Sequence, residues 1–341
     1  MVTFEDIKQG KQIGKGMYGT IYLGIDKQKN KYAIKIEQIF KKDAKKSLKS
    51  YTWRETEFAQ TMNKLYPNVF MTLYDYKIDE SCKHKQNFEG FDFKMKDLPI
   101  PQQNFYKKLW KSEYCSVKLW SYVDTTLHDV LNSWKEFKPD VFYDLFIQLM
   151  YIIYLMNKHG YLHRDLHTKN VGVIYTTKKY ITILGHKIPT HGMIVQLLDY
   201  DLVLHKKYEL NKNEKMELAN NSDLFPQLNM IINFETFVNA YKTQKIDLYE
   251  ENNKLKMSKD DINLLKCHIQ HLKLSKNNES FLLLSLYKIL CYEKYERQIV
   301  GNKFKKVYPP LLMMPLHVIL FIISNIYDVE KILKYVMANR M

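Results

Sequence analysis

Two short stretches carry side chains whose types and spacing could do chemistry: residues 163–170, HRDLHTKN, and residues 197–202, LLDYDL. They offer a carboxylate at Asp165, a carboxamide at Asn170 and a second carboxylate at Asp199. A β-hairpin between them would return both loops to one cleft. Oxygen donors of this kind suit a hard cation such as Mg²⁺, and a carboxylate beside them suits a substrate hydroxyl. Transfer of a phosphoryl group asks for such a set, because charge spreads over the moving group and positioning matters more than covalent chemistry. Asp165 would then orient a hydroxyl and accept its proton, while Asn170 and Asp199 would ligate magnesium. His163 and Arg164 read as structural, His163 packing under the second loop and Arg164 contacting the segment after it. An accidental His-Arg-Asp in a surface turn is the plain alternative, since short motifs recur by chance.

Other elements would have to position a nucleotide against these groups. Residues 12–24, QIGKGMYGTIYLG, hold a G-x-G-x-x-G between two runs with strand character. A second strand (19–25), a turn (26–31) and a third strand, KYAIKIE, follow, where a dinucleotide-binding unit would have a helix. This order favours a loop covering phosphates, with Gly14, Gly16 and Gly19 admitting backbone amides to those of ATP. Lys35 on the third strand can reach the α and β phosphates. Downstream, YTWRETEFAQTMNKL has helical apolar spacing and offers Glu55 and Glu57 as partners for Lys35. Glu55 is preferred, because Glu57 sits about 200° away around the helix.

Residues 114–123, YCSVKLWSYV, read as a strand running into a connector, with adenine bonding backbone groups of Ser121, Tyr122 and Val123. Trp120 would face the back of the nucleotide pocket or serve as a core tryptophan. Residues 66–111 look like an insertion, and residues 139–159 form a strongly apolar helix capped by Gly160.

At 341 residues the chain exceeds one ordinary core. The net charge of +15 raises nucleic acid as a partner, but only four of the 52 basic residues are Arg. Base reading and bidentate phosphate contacts favour Arg, so a solvated basic surface is preferred over a nucleic-acid site. Cys82, Cys115, Cys267 and Cys291 are far apart and form no C-x-x-C pair, which points to reduced thiols without zinc or a disulfide framework. His268 and His271 beside Cys267 fit a helix face better than a metal cage. The N-terminus lacks an apolar signal core. The apolar run 311–326 is interrupted by Pro315 and His317, which favours a buried helix over a membrane span.

The order of glycine loop, strand lysine, helix glutamate, HRD-x-x-x-x-N and following Asp resembles the protein kinase family over the whole chain. Two positions depart from an ordinary protein kinase: His167 stands where Lys is usual after the catalytic Asp, and Tyr200-Asp201 stands where Phe-Gly follows the metal Asp. His167 in D-L-H-x-x-N also resembles small-molecule kinases of the aminoglycoside and choline type. The longer stretch YITILGHKIPTHGMIVQLLDYDL, with SDLF at 222–225 and no Ala-Pro-Glu, is similar to haspin, an atypical histone-tail kinase.

That resemblance implies an α+β, bilobal protein-kinase-like fold in one domain over 1–341. The small β-rich N-lobe would span 1–121 and the large mainly helical C-lobe 122–341. It implies an ATP- and Mg²⁺-dependent serine/threonine protein kinase with Asp165, Lys35, Glu55 and His167 in catalysis. Its activation segment would be prefolded and active without phosphorylation, since Asp201 in place of a flexible glycine disfavours loop inversion. A histone tail is the substrate the resemblance implies. Local acids Glu209, Glu214, Glu217 and Asp223 could receive a basic peptide, although Asp201 replaces the family's Thr. The AT-rich coding bias points to an intracellular parasite or large DNA virus, with a viral or host protein as substrate. The expected setting is intracellular, as a monomer, with nucleus, host cytoplasm and virion as alternatives. A small-molecule kinase and a pseudokinase scaffold are the competing functions.

Overall fold

The structure is a computed structural model and describes residues 2–16, 19–84, 94–133, 139–166, 168–219 and 328–340. It is a mixed α+β protein. Along the chain run β1 (Lys8–Lys15), β2 (Gly19–Ile25), β3 (Lys31–Ile39), α1 (Tyr51–Leu65), β4 (Leu73–Asp79), α2 (Ile100–Leu109) and β5 (Tyr114–Ser121). There follow β6 (Thr125–Thr126), α3 (Leu127–Ser133), α4 (Pro139–Lys158), β7 (Tyr161–Leu162), β8 (Val171–Tyr175), β9 (Tyr180–Ile183) and β10 (His186–Pro189). The described chain continues through β11 (Met193–Leu197), β12 (Leu204–His205), α5 (Lys212–Ala219) and α6 (Val329–Ala338). Two compact units divide it: Met1–Asp124 with Gln196–Lys215, and Thr125–Val195 with Met216–Met341.

In the first unit a five-stranded sheet has the order β1-β2-β3-β5-β4. All four neighbouring pairs in it are antiparallel. One apolar cluster gathers Tyr32 and Ile34 of β3 with Val117 and Leu119 of β5, as alternation along a strand directs. Glycine is required where β2 crosses β3: a Cβ on Gly19 would lie 2.7 Å from Glu37 Cγ and 2.8 Å from the Ile36 carbonyl oxygen.

Two features differ from the sequence reading. Residues 66–111, read as an insertion, contain β4, an integral strand of the sheet, and α2. LYDYKID mixes aromatic and charged residues, and all of its side chains are intermediate or exposed, so it lacks the apolar run of a central strand. The reading of four reduced thiols is also corrected, because Cys82 and Cys115 form a disulfide with Cα atoms 5.5 Å apart. The β4–β5 register sets Asp79 opposite Cys115, and the Cys82 amide donates to the Glu113 carbonyl at 2.7 Å. Strand pairing therefore joins cysteines separated by 33 residues. Cys267, Cys291 and the two nearby histidines lie outside the described residues.

In the second unit the apolar face of α4 packs with the buried Val329, Ile332, Leu333 and Val336 of α6. Tyr143 reinforces that contact by donating to the Val336 carbonyl at 3.0 Å. Asp144, also on α4, is buried between His191 at 2.7 Å and Arg340 at 2.6 Å. Strands β11, β8 and β6 form a sheet in that order, while β9 and β10 form a hairpin. The hairpin turns at Leu184 and Gly185, whose φ angles of 46° and 83° are both left-handed, a two-residue turn that suits the strand twist. Among the described residues no helix is long and apolar enough to cross a membrane. The run 311–326 lies outside them.

Candidate functional site

Strand alternation places Lys35 and Glu37 on one face of β3, and the antiparallel register sets Lys118 of β5 directly opposite Lys35. Helix α1 brings Glu55 to the same point. Lys35 Nζ donates to Glu55 Oε1 at 3.1 Å, Asp199 Oδ1 at 3.2 Å and Asp201 Oδ1 at 2.7 Å, and lies 2.8 Å from Glu37 Oε1. Glu57, the other glutamate weighed for Lys35, instead accepts from Lys207 and from the Tyr208 hydroxyl.

Burial opposes charge on Lys35, but Asp199, Asp201, Glu37 and Glu55 hold its ammonium well above the ordinary lysine range. Glu37 feels the same burial. Lys118 and Lys35, with a hydrogen bond from Asp201, nonetheless keep it far below the usual carboxylate range. Asp199 is depressed against burial mainly by Lys35. Asp201 moves the other way, pushed well above its usual range by burial and by the charges of Glu37 and Glu55. Glu37, Glu55 and Asp201 could each offer an oxygen within 4.8 Å of the others. The ammonium groups of Lys35 and Lys118 already serve as the cations of that cluster. A cavity of about 260 Å³ borders it, lined among others by Glu37, Phe40, Tyr51, Phe105, Leu109 and Asp201.

Asp199 itself has a φ of 57°, a backbone state few non-glycine residues adopt, and such strain persists only where surroundings enforce it. Here the next residue supplies the constraint. Tyr200 is buried, its ring 4.5 Å from that of Phe58 and 6.1 Å from that of Trp120, and its hydroxyl donates to the Leu197 carbonyl at 2.7 Å. Trp120 is 4% exposed and packs in this core.

A second anchor fixes α1. Arg54, immediately before Glu55, has a side chain only 2% exposed. Its guanidinium donates to Leu48 O at 2.8 Å, Glu209 O at 3.0 Å and Glu214 Oε1 at 2.7 Å. The rings of Tyr51 and Tyr208 lie 5.2 Å and 5.6 Å from its carbon. The segment after Asp199 is thus tied to the helix that bears Glu55. Glu214, read from the sequence only as a local acid, is the partner in this tie.

The glycine loop is closed at its base, where the Gly16 amide donates to the Gly19 carbonyl at 2.8 Å. Gly14 faces Ile21 across β1 and β2. At the end of β5, the Ser121 amide donates to Thr72 O at 2.8 Å and its hydroxyl accepts from the Thr72 amide at 3.0 Å. Those two groups of Ser121 are therefore already engaged. Tyr122 lies under Lys31, whose ammonium is 5.3 Å from the ring, and Val123 follows.

In the second unit the residues of the HRD stretch form a compact loop. His163 is fully buried and its Nδ1 accepts from the Asp165 amide at 3.3 Å. Arg164 takes a φ of 68°. Asn170 Nδ2 donates to the Asp165 carbonyl at 2.8 Å and to Asp165 Oδ2 at 3.1 Å. This pair of bonds orients the Asp165 carboxylate and directs the Asn170 amide oxygen away from it. His167 lies outside the described residues.

Taken singly, the donors fit magnesium in chemical kind: Asp199 of the first unit keeps 41% of its side chain exposed despite its bond to Lys35, and Asn170 of the second unit carries an amide oxygen, each a hard oxygen ligand. Comparison with known proteins finds no family model that matches the chain and no matching curated protein.

Three participants were missed in the sequence: Glu37, Lys118 and Arg54. Each carries a signal in retrospect. Glu37 is two residues from Lys35 on a strand, Lys118 interrupts the apolar stretch YCSVKLW, and Arg54 is one of only four arginines.

Proposed function

We propose that the chain is an ATP-dependent serine/threonine protein kinase of haspin type, with a bilobal kinase fold. The observation that carries this reading is Lys35, which binds a helix glutamate, Glu55, and the loop aspartate Asp199 at once. A phosphate-binding lysine needs this arrangement: one carboxylate to orient the ammonium, another beside it to manage the cation that accompanies the nucleotide.

In this reading Lys35 contacts the α and β phosphates, and Gly14, Gly16 and Gly19 let the β1–β2 loop approach them. The Tyr122 and Val123 backbone borders adenine. Asp165, oriented by Asn170, accepts the proton of a Ser or Thr hydroxyl as that oxygen attacks the γ phosphorus and the bond from phosphorus to the β–γ bridging oxygen breaks, releasing ADP. Asn170 and Asp199 would hold magnesium, which when bound offsets the charge of the phosphates. The ties from Arg54 to residues 209 and 214 keep Glu55 at Lys35 without a phosphorylated segment, which supports activity in the unmodified protein. A histone tail remains the substrate proposed from the resemblance.

The test is transfer of γ-phosphate from Mg·ATP to core histones, basic peptides and a non-histone control, with Asp165→Ala in parallel. Transfer to a histone tail that disappears in the variant is the expected result. ATP binding without transfer to any peptide would overturn the protein-kinase reading and leave a metabolite kinase or a scaffold.

A further inference from the structure

Lys118 lies within β5 and is 1% exposed. Lysine is almost never fully buried unless paired. This one is paired twice, donating to Glu37 Oε2 at 3.0 Å and to Glu55 Oε2. Lys35 takes the opposite oxygens of the same two carboxylates, Glu37 Oε1 at 2.8 Å and Glu55 Oε1 at 3.1 Å. Two carboxylates therefore bridge two ammonium groups in a closed ring of alternating charge, with one lysine on each oxygen.

We propose that Lys118 is a positioning residue for Lys35, holding the far oxygens of Glu37 and Glu55 so that Lys35 stays extended toward Asp199. This rests on the reading of Lys35 as the phosphate-binding lysine. A single Lys–Glu pair needs no such help. Here β3 adds a second glutamate, Glu37, and the loop after Asp199 adds Asp201, so that four acidic side chains converge on one ammonium. Charges at these separations in a buried site interact strongly. Without Lys118, Glu37 and Glu55 would each turn a second oxygen toward Lys35 and draw it away from Asp199. Lys118 itself is too deeply buried to meet a nucleotide, so it acts only through its two partners.

The experiment is a double-mutant cycle on the full chain: the unaltered protein, Lys118→Met, Glu37→Gln and the double variant. For each, kcat and KM for Mg·ATP are measured separately. Labelling of Lys35 by an acyl-phosphate derivative of ATP is followed by peptide mass spectrometry, and a thermal melt shows which proteins fold. Lys118→Met is expected to lower kcat/KM by about 10- to 100-fold, chiefly through KM, with a matching loss of Lys35 labelling. In the Glu37→Gln background the second glutamate is gone, and Glu55 is the one glutamate left to the two lysines. The same lysine change should there cost at least about tenfold less. A packing role predicts equal losses in both backgrounds, and that result overturns the inference. Should Lys118→Met not fold, Lys118→Gln replaces it in the same cycle. An unaltered protein that neither binds Mg·ATP nor transfers phosphate overturns the kinase reading and this inference together. Transfer without coupling between Glu37 and Lys118 overturns this inference alone.

Discussion

Replacing Glu214 by Leu would strand Arg54, the single arginine in the sequence of the first unit. In the native chain the Arg54 guanidinium has four hydrogen bonds, two of them to Glu214 at 2.7 and 3.3 Å. After the change only the Leu48 and Glu209 carbonyls remain, and a full charge stays in a site where its side chain is 2% exposed. Breaking a buried pair from one side costs about 3 to 5 kcal/mol, because the surviving charge is uncompensated. The paired change Arg54→Met/Glu214→Leu removes that charge. It leaves two carbonyls short of a donor, at about 1 to 3 kcal/mol each before solvent or relaxation restores them. The double variant is therefore expected to be more stable than Glu214→Leu alone. Urea unfolding followed by tryptophan fluorescence is a suitable assay, since Trp53 is buried on the same helix and donates to the Asp43 carbonyl at 2.8 Å. A loss below about 1 kcal/mol in the single variant, the range of an exposed pair, would refute the reasoning. So would a double variant less stable than the single one.

Asp201→Asn tests the raised carboxyl. Because burial and nearby Glu37 and Glu55 raise the folded-state pKa, the folded chain keeps a proton that the unfolded chain releases above about pH 4. Stability then falls as pH rises, by up to about 1.4 kcal/mol per unit, until the folded-state pKa is passed. In magnesium-free buffer the variant should melt above the native chain at about pH 8, with the gap closing near pH 4, and parallel pH profiles would contradict this. The Cys82–Cys115 bond closes a loop between residues 33 apart, so Cys82→Ser is expected to cost about 3 to 4 kcal/mol. Peptide mapping without reductant should recover the two cysteines linked, and their recovery only as separate peptides would remove the bond from the account.

Elements with strong local signals were legible in the sequence. Turn residues and β-branched runs marked β2 and β3, and Gly160, with its φ of 73°, closes the apolar helix α4 as a glycine cap does. Helical angle alone separated Glu55 from Glu57, because only one of two residues about 200° apart can face Lys35. What escaped depends on register between distant segments. Lys118 became a partner of Glu55 only through its alignment with Lys35, and no spacing in the chain encodes that alignment. The Cys82–Cys115 bond and the Arg54–Glu214 pair are of the same kind, since each joins segments whose approach is decided by packing. β4 escaped for another reason: its seven residues carry no fully buried side chain and so show neither alternation nor an apolar run.

The ring of Lys35, Glu37, Lys118 and Glu55 also restricts the order in which descendants of this chain can change. Glu37 can be lost first, because Lys118 keeps Glu55 as its counter-ion. Loss of Lys118 first leaves two buried carboxylates, Glu37 and Glu55, to share the single Lys35 ammonium, the costlier direction for a buried charge cluster. Drift through the ring is thus one-way: sequences diverging from this one can carry Lys118 without Glu37, but a lineage holding Glu37 without Lys118 has a destabilised ancestor to pass through.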